Sequence, residues 1–143
     1  MKKFAFEASS IKGAFKFGKI ISLNEIPKID LIITGSVAVC KDGARLGKGH
    51  GYGELEYAIL RELNLIDKNI PIITTVHEIQ IVDYIPVEKH DVPVDLIVTP
   101  NKIIETEKKY EKPKGIYWEL LNEKIFEEIA VLKELKNLKQ KLK

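Results

Sequence analysis

The residues best suited to chemistry lie in one glycine-rich stretch that runs from Asp42 to Gly53. Gly47, Gly49 and Gly51 occupy alternate positions, and Gly43 precedes them. They keep side chains out of the loop and permit positive φ angles, so backbone N–H groups can converge on a phosphate in front of a helix dipole. The spacing is neither the Walker nor the Rossmann fingerprint, and a tight strand-to-helix connection without a ligand accounts for the same glycines.

Side chains in and after this stretch add charge and hydrogen-bonding groups. Arg45 offers a bidentate fork to a phosphate, and Lys48 offers a mobile point charge. His50 either donates to the same group or faces solvent, and Tyr52 can stack or donate its hydroxyl. Glu54 is placed to hold a Mg²⁺ that bridges phosphates, although an acid in the first turn of a helix also simply complements the dipole.

The surrounding elements predict an α/β fold with a mainly parallel sheet. Apolar, β-branched runs at 31–39, 72–76, 79–82 and 94–99 are typical of strands, and the first of them reads as a nearly continuous strand covered on both faces. Three-and-four spacing predicts a helix over 54–63. We therefore expect a Rossmann-like, three-layer arrangement with helices on both faces and with ligands at the carboxyl ends of the strands.

The two ends of the chain differ from this central part. In residues 1–28, phenylalanines spaced by two predict either two short strands or an irregular arm that carries aromatics into a core. Asn122 is placed to cap a second helix in the tail, so residues 116–143 form either one long helix or two short ones. An apolar stripe along this tail predicts packing against the sheet or a partner; it comprises Trp118, Leu121, Ile125, Ile129, Leu132, Leu135, Leu138 and Leu142.

Composition limits the classes of function. A chain of 143 residues predicts one domain over 1–143. Its 23 basic and 21 acidic residues leave a net charge of +2, so the overall charge does not predict binding to nucleic acid or to an anionic membrane. The single cysteine, Cys40, fits a reducing compartment, and no apolar run reaches the length of a bilayer span, so a cytoplasmic location is expected. The three histidines lack the spacing of a zinc site.

Two motifs resemble those of a known family. The stretch Asp42-Gly-Ala-Arg-Leu-Gly-Lys-Gly-His-Gly-Tyr resembles the G-x-R-L-G-x-G-x-G-Y-Y-D signature of the 5-formyltetrahydrofolate cyclo-ligases. Residues 76–100, ending in Val-Pro-Val-Asp95-Leu-Ile-Val-Thr99-Pro100, are similar to the second conserved block of that family. The resemblance covers roughly residues 30–105, and the variants Gly-Tyr-Gly-Glu-Leu-Glu-Tyr and Gly115-Ile-Tyr-Trp118 resemble its archaeal branch and its domain-containing relatives more than the bacterial enzyme.

The resemblance implies an ATP- and Mg²⁺-dependent cyclisation of 5-formyltetrahydrofolate, a reduced folate, to 5,10-methenyltetrahydrofolate. It implies catalytic roles for Arg45 and Tyr52, and it makes Glu54 the magnesium ligand. It also implies that the folate is bound by Tyr52, Gln80 and Asp91. ATP would be held by Arg45, Gly47, Lys48, Gly49, His50 and Gly51. A lysine run at 108–114 is either solvated or a contact for RNA or for the acidic tail of folate.

The match also has departures. Gly53 replaces the second tyrosine of the signature, and Glu54 replaces its aspartate. Nothing before residue 30 resembles the family's N-terminal segment, which carries a basic pair that reaches ATP. These departures predict one of three alternatives: the chain is the C-terminal portion of a longer protein, it associates with a second chain or a second copy, or it is a catalytically silent nucleotide- or RNA-associated module on the same fold.

Overall fold

The computed structural model describes residues 2–141, and it describes side chains for residues 4–137. The strands in this range are β1 Ile32–Gly35, β2 Ala38–Cys40, β3 Arg45–Leu46, β4 Ile72–Thr75, β5 Ile81–Val82, β6 Leu96–Val98 and β7 Ile103–Glu105. The α-helices are α1 Lys2–Ala8, α2 Ile11–Phe17, α3 Tyr52–Glu62, α4 Glu123–Glu128 and α5 Ala130–Lys141. Short 3₁₀ turns cover Leu23–Glu25, Glu78–Gln80 and Trp118–Leu120.

The strands form two sheets. A four-stranded sheet has the order β1-β4-β6-β7, in which β1, β4 and β6 are parallel and β7 is antiparallel to β6. A three-stranded sheet has the order β3-β2-β5, with β2 antiparallel to β3 and parallel to β5. The mixed α/β class and the predominance of parallel pairing are therefore confirmed, whereas the Rossmann-like, three-layer arrangement stays a prediction.

The predicted strand over residues 31–39 is wrong in its continuity and its burial. The chain leaves the four-stranded sheet after Gly35 and enters the three-stranded sheet at Ala38, so one apolar run supplies two strands. β1 is an edge strand, and the face that carries Ile33 is not covered, since Ile33 is 67% exposed. The Gln80 amide stabilises the corner by donating to the carbonyls of Ser36 and Val37 at 3.0 and 3.1 Å.

The first part of the glycine-rich stretch is a hairpin and not an open loop. β2 and β3 pair through Ala38–Leu46 and Val39–Arg45, so the prediction of a loop that begins at Asp42 is wrong for this part. Gly43 adopts a φ of 102° in the turn, a conformation that favours glycine. The open loop starts at Gly47 and ends where α3 begins.

The N-terminal region is helical, so the prediction of strands or an irregular arm is wrong. Ser10 caps α2 by accepting the Gly13 N–H at 2.9 Å, a start signal that the spacing of the aromatics obscured. The two helices bury little apolar surface, since Phe6, Ile11 and Phe15 are 90%, 82% and 88% exposed.

The central helix and the tail follow the sequence pattern closely. α3 begins two residues before the predicted start, and β4 and β6 fall inside the predicted strands. The alternative of two helices in the tail is confirmed, although they divide at Ile129; Asn122 caps the start of α4, with its side chain accepting the Lys124 N–H at 2.8 Å. The run at 79–82 is half 3₁₀ turn and half strand, and β7 was not predicted.

Two apolar clusters hold these elements together. One joins the strands to α3 through Val39, Tyr57, Ile72 and Ile97. The other packs the tail against Leu55 and Ala58 of α3, as the apolar stripe predicts; the stripe residues in it are Trp118, Leu121, Ile125, Ile129, Leu132 and Leu135. Leu138 and Leu142 lie outside the residues whose side chains are described. None of the helices in the described part combines the length and apolarity that a bilayer span requires.

The hairpin turn generates a test of the fold. Gly43→Ala should lower the free energy of unfolding by about 1–3 kcal/mol, because the φ is positive and an added Cβ would lie 3.2 Å from the Val94 carbonyl oxygen. Gly35→Ala is the matched control, since an added Cβ there meets nothing within 4 Å, and it should change stability by less than about 0.5 kcal/mol. Urea unfolding of both variants measures the difference, and equal stability would contradict the strained turn.

Candidate functional site

The open loop and the carboxyl end of β1 form a cavity of about 340 Å³, which we call the loop pocket. Its walls include seven of the predicted site residues: Arg45, Gly47, Lys48, His50, Gly51, Tyr52 and Glu54. Thr34, Gly35 and Ser36 supply the floor from the end of β1. The structure thus brings the predicted phosphate-binding residues together at one end of the sheet, except for Gly49, which does not line the pocket.

The backbone of the loop presents donors to this pocket. Gly51 is the N-cap of α3 with a φ of 68°, and no side chain caps the first turn of that helix. Gly49 also has a positive φ, at 81°. The first N–H groups of an α-helix have no partner within the helix, so the uncapped start of α3 leaves donors beside the loop.

Arg45 is buried within the wall of the pocket. The residue is 8% exposed, its Nη1 donates to the Gly35 carbonyl oxygen at 2.9 Å, and its Nη2 donates to Glu54 Oε1. Glu54 is itself largely buried, with 16% of its side chain exposed. The guanidinium therefore joins β3 to β1 and α3, while Lys48 remains as an exposed cation of the loop.

The first departure from the family signature has a structural correlate. A Cβ added at Gly53 would lie 3.4 Å from Arg45 Nη2 and 3.7 Å from Thr34 Oγ1. The guanidinium thus packs against the first turn of α3 where the signature has a tyrosine. Glu54, the second departure, reaches this guanidinium from the next position in the helix.

The two aromatic rings of the loop lie together at the surface. The rings of His50 and Tyr52 are nearly parallel, with 6.1 Å between their centroids and 10° between their planes. Tyr52 is 51% exposed, so its ring is accessible from solvent. This pair offers a flat surface on which an aromatic ligand can stack.

A second cavity of about 150 Å³ adjoins the loop pocket, and sequence reasoning missed it. We call it the tail cavity, because residues of the tail close it. His50, Gly51 and Glu54 line both cavities. The apolar walls come from Leu55, Ala58, Ile116, Tyr117, Leu120, Leu121 and Ile125. Helical periodicity indicated burial of the tail but could not indicate which surface it would cover.

Two predicted folate contacts lie elsewhere. Gln80 stabilises the corner between β1 and β2, and its Oε1 also accepts the His77 N–H at 2.8 Å. Asp91 accepts the Glu88 N–H at 2.7 Å. Neither residue lines the loop pocket or the tail cavity.

Glu78 is a further polar residue that the sequence did not single out. Its carboxylate accepts hydrogen bonds from Thr99 Oγ1 at 2.8 Å and from Asn101 Nδ2 at 2.9 Å, beyond the carboxyl ends of β4 and β6. The hydrogen bonds from Thr99 and Asn101 lower the pKa of Glu78 to about 2. This carboxylate is therefore ionised in the folded protein at neutral pH.

Magnesium has few protein ligands available here. Among the described residues, no three or more His, Cys, Asp or Glu side chains are grouped so as to hold a metal ion. Glu54 is the acid in the wall of the loop pocket. This fits Mg²⁺, which often binds through one or two carboxylates together with substrate phosphates and water.

Comparison with known proteins defines the family. The model of the 5-formyltetrahydrofolate cyclo-ligase family matches residues 16–100. This range includes the glycine-rich stretch and the second motif, and it covers more than half of the chain. The chain therefore belongs to the 5-formyltetrahydrofolate cyclo-ligase family.

Individual relatives agree with this assignment. Proteins named methenyltetrahydrofolate synthase domain-containing protein are 39% identical in Homo sapiens and 38% identical in Danio rerio, over 94% and 92% of this chain. The chain spans 36% and 35% of the length of those two proteins. The 5-formyltetrahydrofolate cyclo-ligase of Escherichia coli is 32% identical over 80 residues, which cover 56% of this chain and 41% of that enzyme.

The buried ion pair generates a second prediction. Glu54→Ala should lower the free energy of unfolding by about 3 kcal/mol, because it leaves the buried Arg45 guanidinium without its counter-charge. Glu56→Ala, an exposed acid on the same helix, should change stability by less than about 0.5 kcal/mol. Chemical denaturation measures both, and a Glu54 variant as stable as the Glu56 variant would contradict a stabilising pair.

A third prediction concerns acid stability. Because the folded pKa of Glu78 is lowered from 4.5 to about 2, its contribution is complete above about pH 4.5 and is lost as the pH falls towards 2. Glu78→Gln should therefore destabilise the protein at pH 7 and have a smaller effect at pH 2.5. Carboxyl-carbon NMR titration should show that Asn101→Ala raises the pKa of Glu78, and an unchanged pKa would contradict the role of this hydrogen bond.

Proposed function

We propose that this protein catalyses the ATP- and Mg²⁺-dependent cyclisation of 5-formyltetrahydrofolate to 5,10-methenyltetrahydrofolate, or a close relative of that reaction. The observation that carries the proposal is the convergence of the glycine loop, the uncapped start of α3 and Lys48 on one cavity, in a chain of this family. The family match favours this chemistry over a catalytically silent nucleotide- or RNA-associated module.

The proposed reaction has two steps. The formyl oxygen attacks the γ-phosphorus of ATP, the bond to the bridging oxygen breaks, and ADP leaves. The N10 nitrogen of folate then attacks the activated formyl carbon, the C–O bond breaks, phosphate leaves, and the N10 proton passes to solvent. Phosphoryl transfer depends mainly on positioning and charge neutralisation, which a loop of backbone donors and a lysine can supply.

Each residue of the site would have its own role in this reaction. The loop amides at Gly47, Gly49 and Gly51, together with Lys48 and His50, would hold the ATP phosphates. Arg45 would act mainly by fixing Glu54 and the end of β1, because both of its terminal nitrogens already donate to protein groups. Glu54 would hold magnesium, whose charge offsets that of the phosphates.

The folate would lie next to this phosphate site. Tyr52 and His50 offer a stacking surface, and the apolar tail cavity shares the wall residues His50 and Glu54 with the loop pocket. A pterin ring in the tail cavity would therefore place its formyl group beside the phosphates. Gln80 and Asp91 remain predicted folate contacts, and each now has a structural hydrogen bond as well.

We further propose that the protein works in the cytoplasm and that it associates with a second copy or another chain. Exposed apolar side chains on α1, on α2 and on the edge strand β1 support association. Sedimentation velocity over a range of concentrations tests it, and a monomer throughout would contradict it.

An enzymatic assay tests the proposed reaction. Formation of 5,10-methenyltetrahydrofolate from 5-formyltetrahydrofolate and Mg-ATP is followed by absorbance, and Lys48→Ala should lower kcat/KM about 100-fold, because it removes a cation from the transferred phosphate. Lys41→Ala, at an exposed lysine outside the loop pocket, is the matched control and should leave the rate unchanged. Absence of product with wild-type protein that still binds ATP would contradict the proposal.

A further inference from the structure

A basic cleft of about 730 Å³ lies at the opposite end of the four-stranded sheet from the loop pocket, and we call it the amino-end cleft. Asn69 and Asp95, which line it, precede the starts of β4 and β6, whereas Gly35 in the loop pocket ends β1. Because these three strands are parallel, the two cavities lie at opposite ends of the strands. The amino-end cleft is therefore separate from the proposed reaction site.

The lining of the cleft carries an excess of positive charge. Its cations come from three segments of the chain: Arg61, Lys68, Lys108, Lys112 and Lys114. Its acids are Asp95 and Glu111, which leaves three positive charges in a protein whose net charge is +2. Lys112 is committed to the fold, since its Nζ donates to Asp95 Oδ2 and to the Ile70 carbonyl oxygen, both at 2.6 Å.

A buried donor without an acceptor lies in the wall of the cleft. Arg61 lines the cleft, and its Nε is buried and has no hydrogen-bond partner, whereas its Nη1 donates to the Ile66 carbonyl oxygen at 3.0 Å. Buried polar groups are nearly always hydrogen-bonded, so this orphaned donor in a basic cleft indicates a site for an acceptor. The Tyr57 hydroxyl, one turn earlier in α3, is also buried without a partner, but Tyr57 does not line the cleft.

We propose that the amino-end cleft binds an oligophosphate, at a site distinct from the glycine loop. A chain of phosphates offers many acceptor oxygens and several negative charges, which match a guanidinium and free lysines at Lys68 and Lys114. The inference goes beyond the proposed function and does not rest on it.

The alternative source of negative charge, the carboxylate tail of a folate held in the tail cavity, fits less well. Gly115 lines the tail cavity, and Lys114 lines the cleft, so a ligand that crosses from one to the other would pass this point. Glu62 lies at this point. Its Oε1 accepts the Ile116 N–H at 3.0 Å, and the same oxygen would lie 2.6 Å from a Cβ added at Gly115. A fixed carboxylate on this route repels a chain of carboxylates.

Calorimetric titration of the full chain with inorganic tripolyphosphate tests the proposal. The titration is done in a Lys48→Gln background, which weakens binding at the glycine loop. We expect one remaining site, whose Kd rises at least about tenfold when Lys68→Gln and Lys114→Gln are added. The matched control adds Lys102→Gln and Lys133→Gln, which remove the same charge from exposed lysines that do not line the cleft, and it should change Kd less than about twofold.

Two further measurements separate the cleft from general electrostatics and from a folate tail. Arg61→Lys, which keeps the charge and removes the Nε donor, should weaken tripolyphosphate binding about threefold or more while the fold, followed by circular dichroism, is retained. Tri-γ-glutamate should bind at least about tenfold more weakly than tripolyphosphate. Equal weakening by the two lysine pairs, or tighter binding of tri-γ-glutamate, would overturn the proposal.

Discussion

The ion pair between Arg45 and Glu54 is the interaction on which the site depends. It joins a two-residue strand to the first turn of α3, and through the Gly35 carbonyl it reaches the end of β1. Neither strand is long enough to fix its own position, since β1 has four residues and β3 has two. A buried charge that loses its partner carries a large desolvation penalty, so this pair holds the three elements in one arrangement.

The same pair changes how the loop can bind phosphate. A guanidinium that already donates to a carboxylate and a carbonyl has less to offer a ligand than an exposed one. In the proposed reaction, the exposed Lys48, the amides around Gly49 and Gly51 and the start of α3 would then bind the phosphates. The magnesium-binding role proposed for Glu54 would depend on the fold as well, since its carboxylate already accepts a hydrogen bond from Arg45.

Local signals in the sequence predicted the elements that depend on local physics. The three-and-four spacing predicted α3, and Asn122 predicted the start of α4, because periodicity and capping act within a few residues. The sheet change after Gly35 could not be predicted, since it depends on the amide of Gln80, more than forty residues later in the chain. Burial of Arg45 was equally hidden, because arginine is rarely buried unless paired, and its partner lies on another element.

The short path between the two sheets has an evolutionary consequence. From Gly35 to Glu54 the chain turns a corner, forms a hairpin and starts a helix, and both ends of this path meet at one guanidinium. An inserted residue in β2 or β3 would displace that group by about 3.3 Å and reverse the side-chain faces beyond it. Length changes in β2 and β3 should therefore be selected against among descendants of this sequence, and the phosphate-binding role proposed for Gly47–Gly51 would extend the same constraint to the open loop.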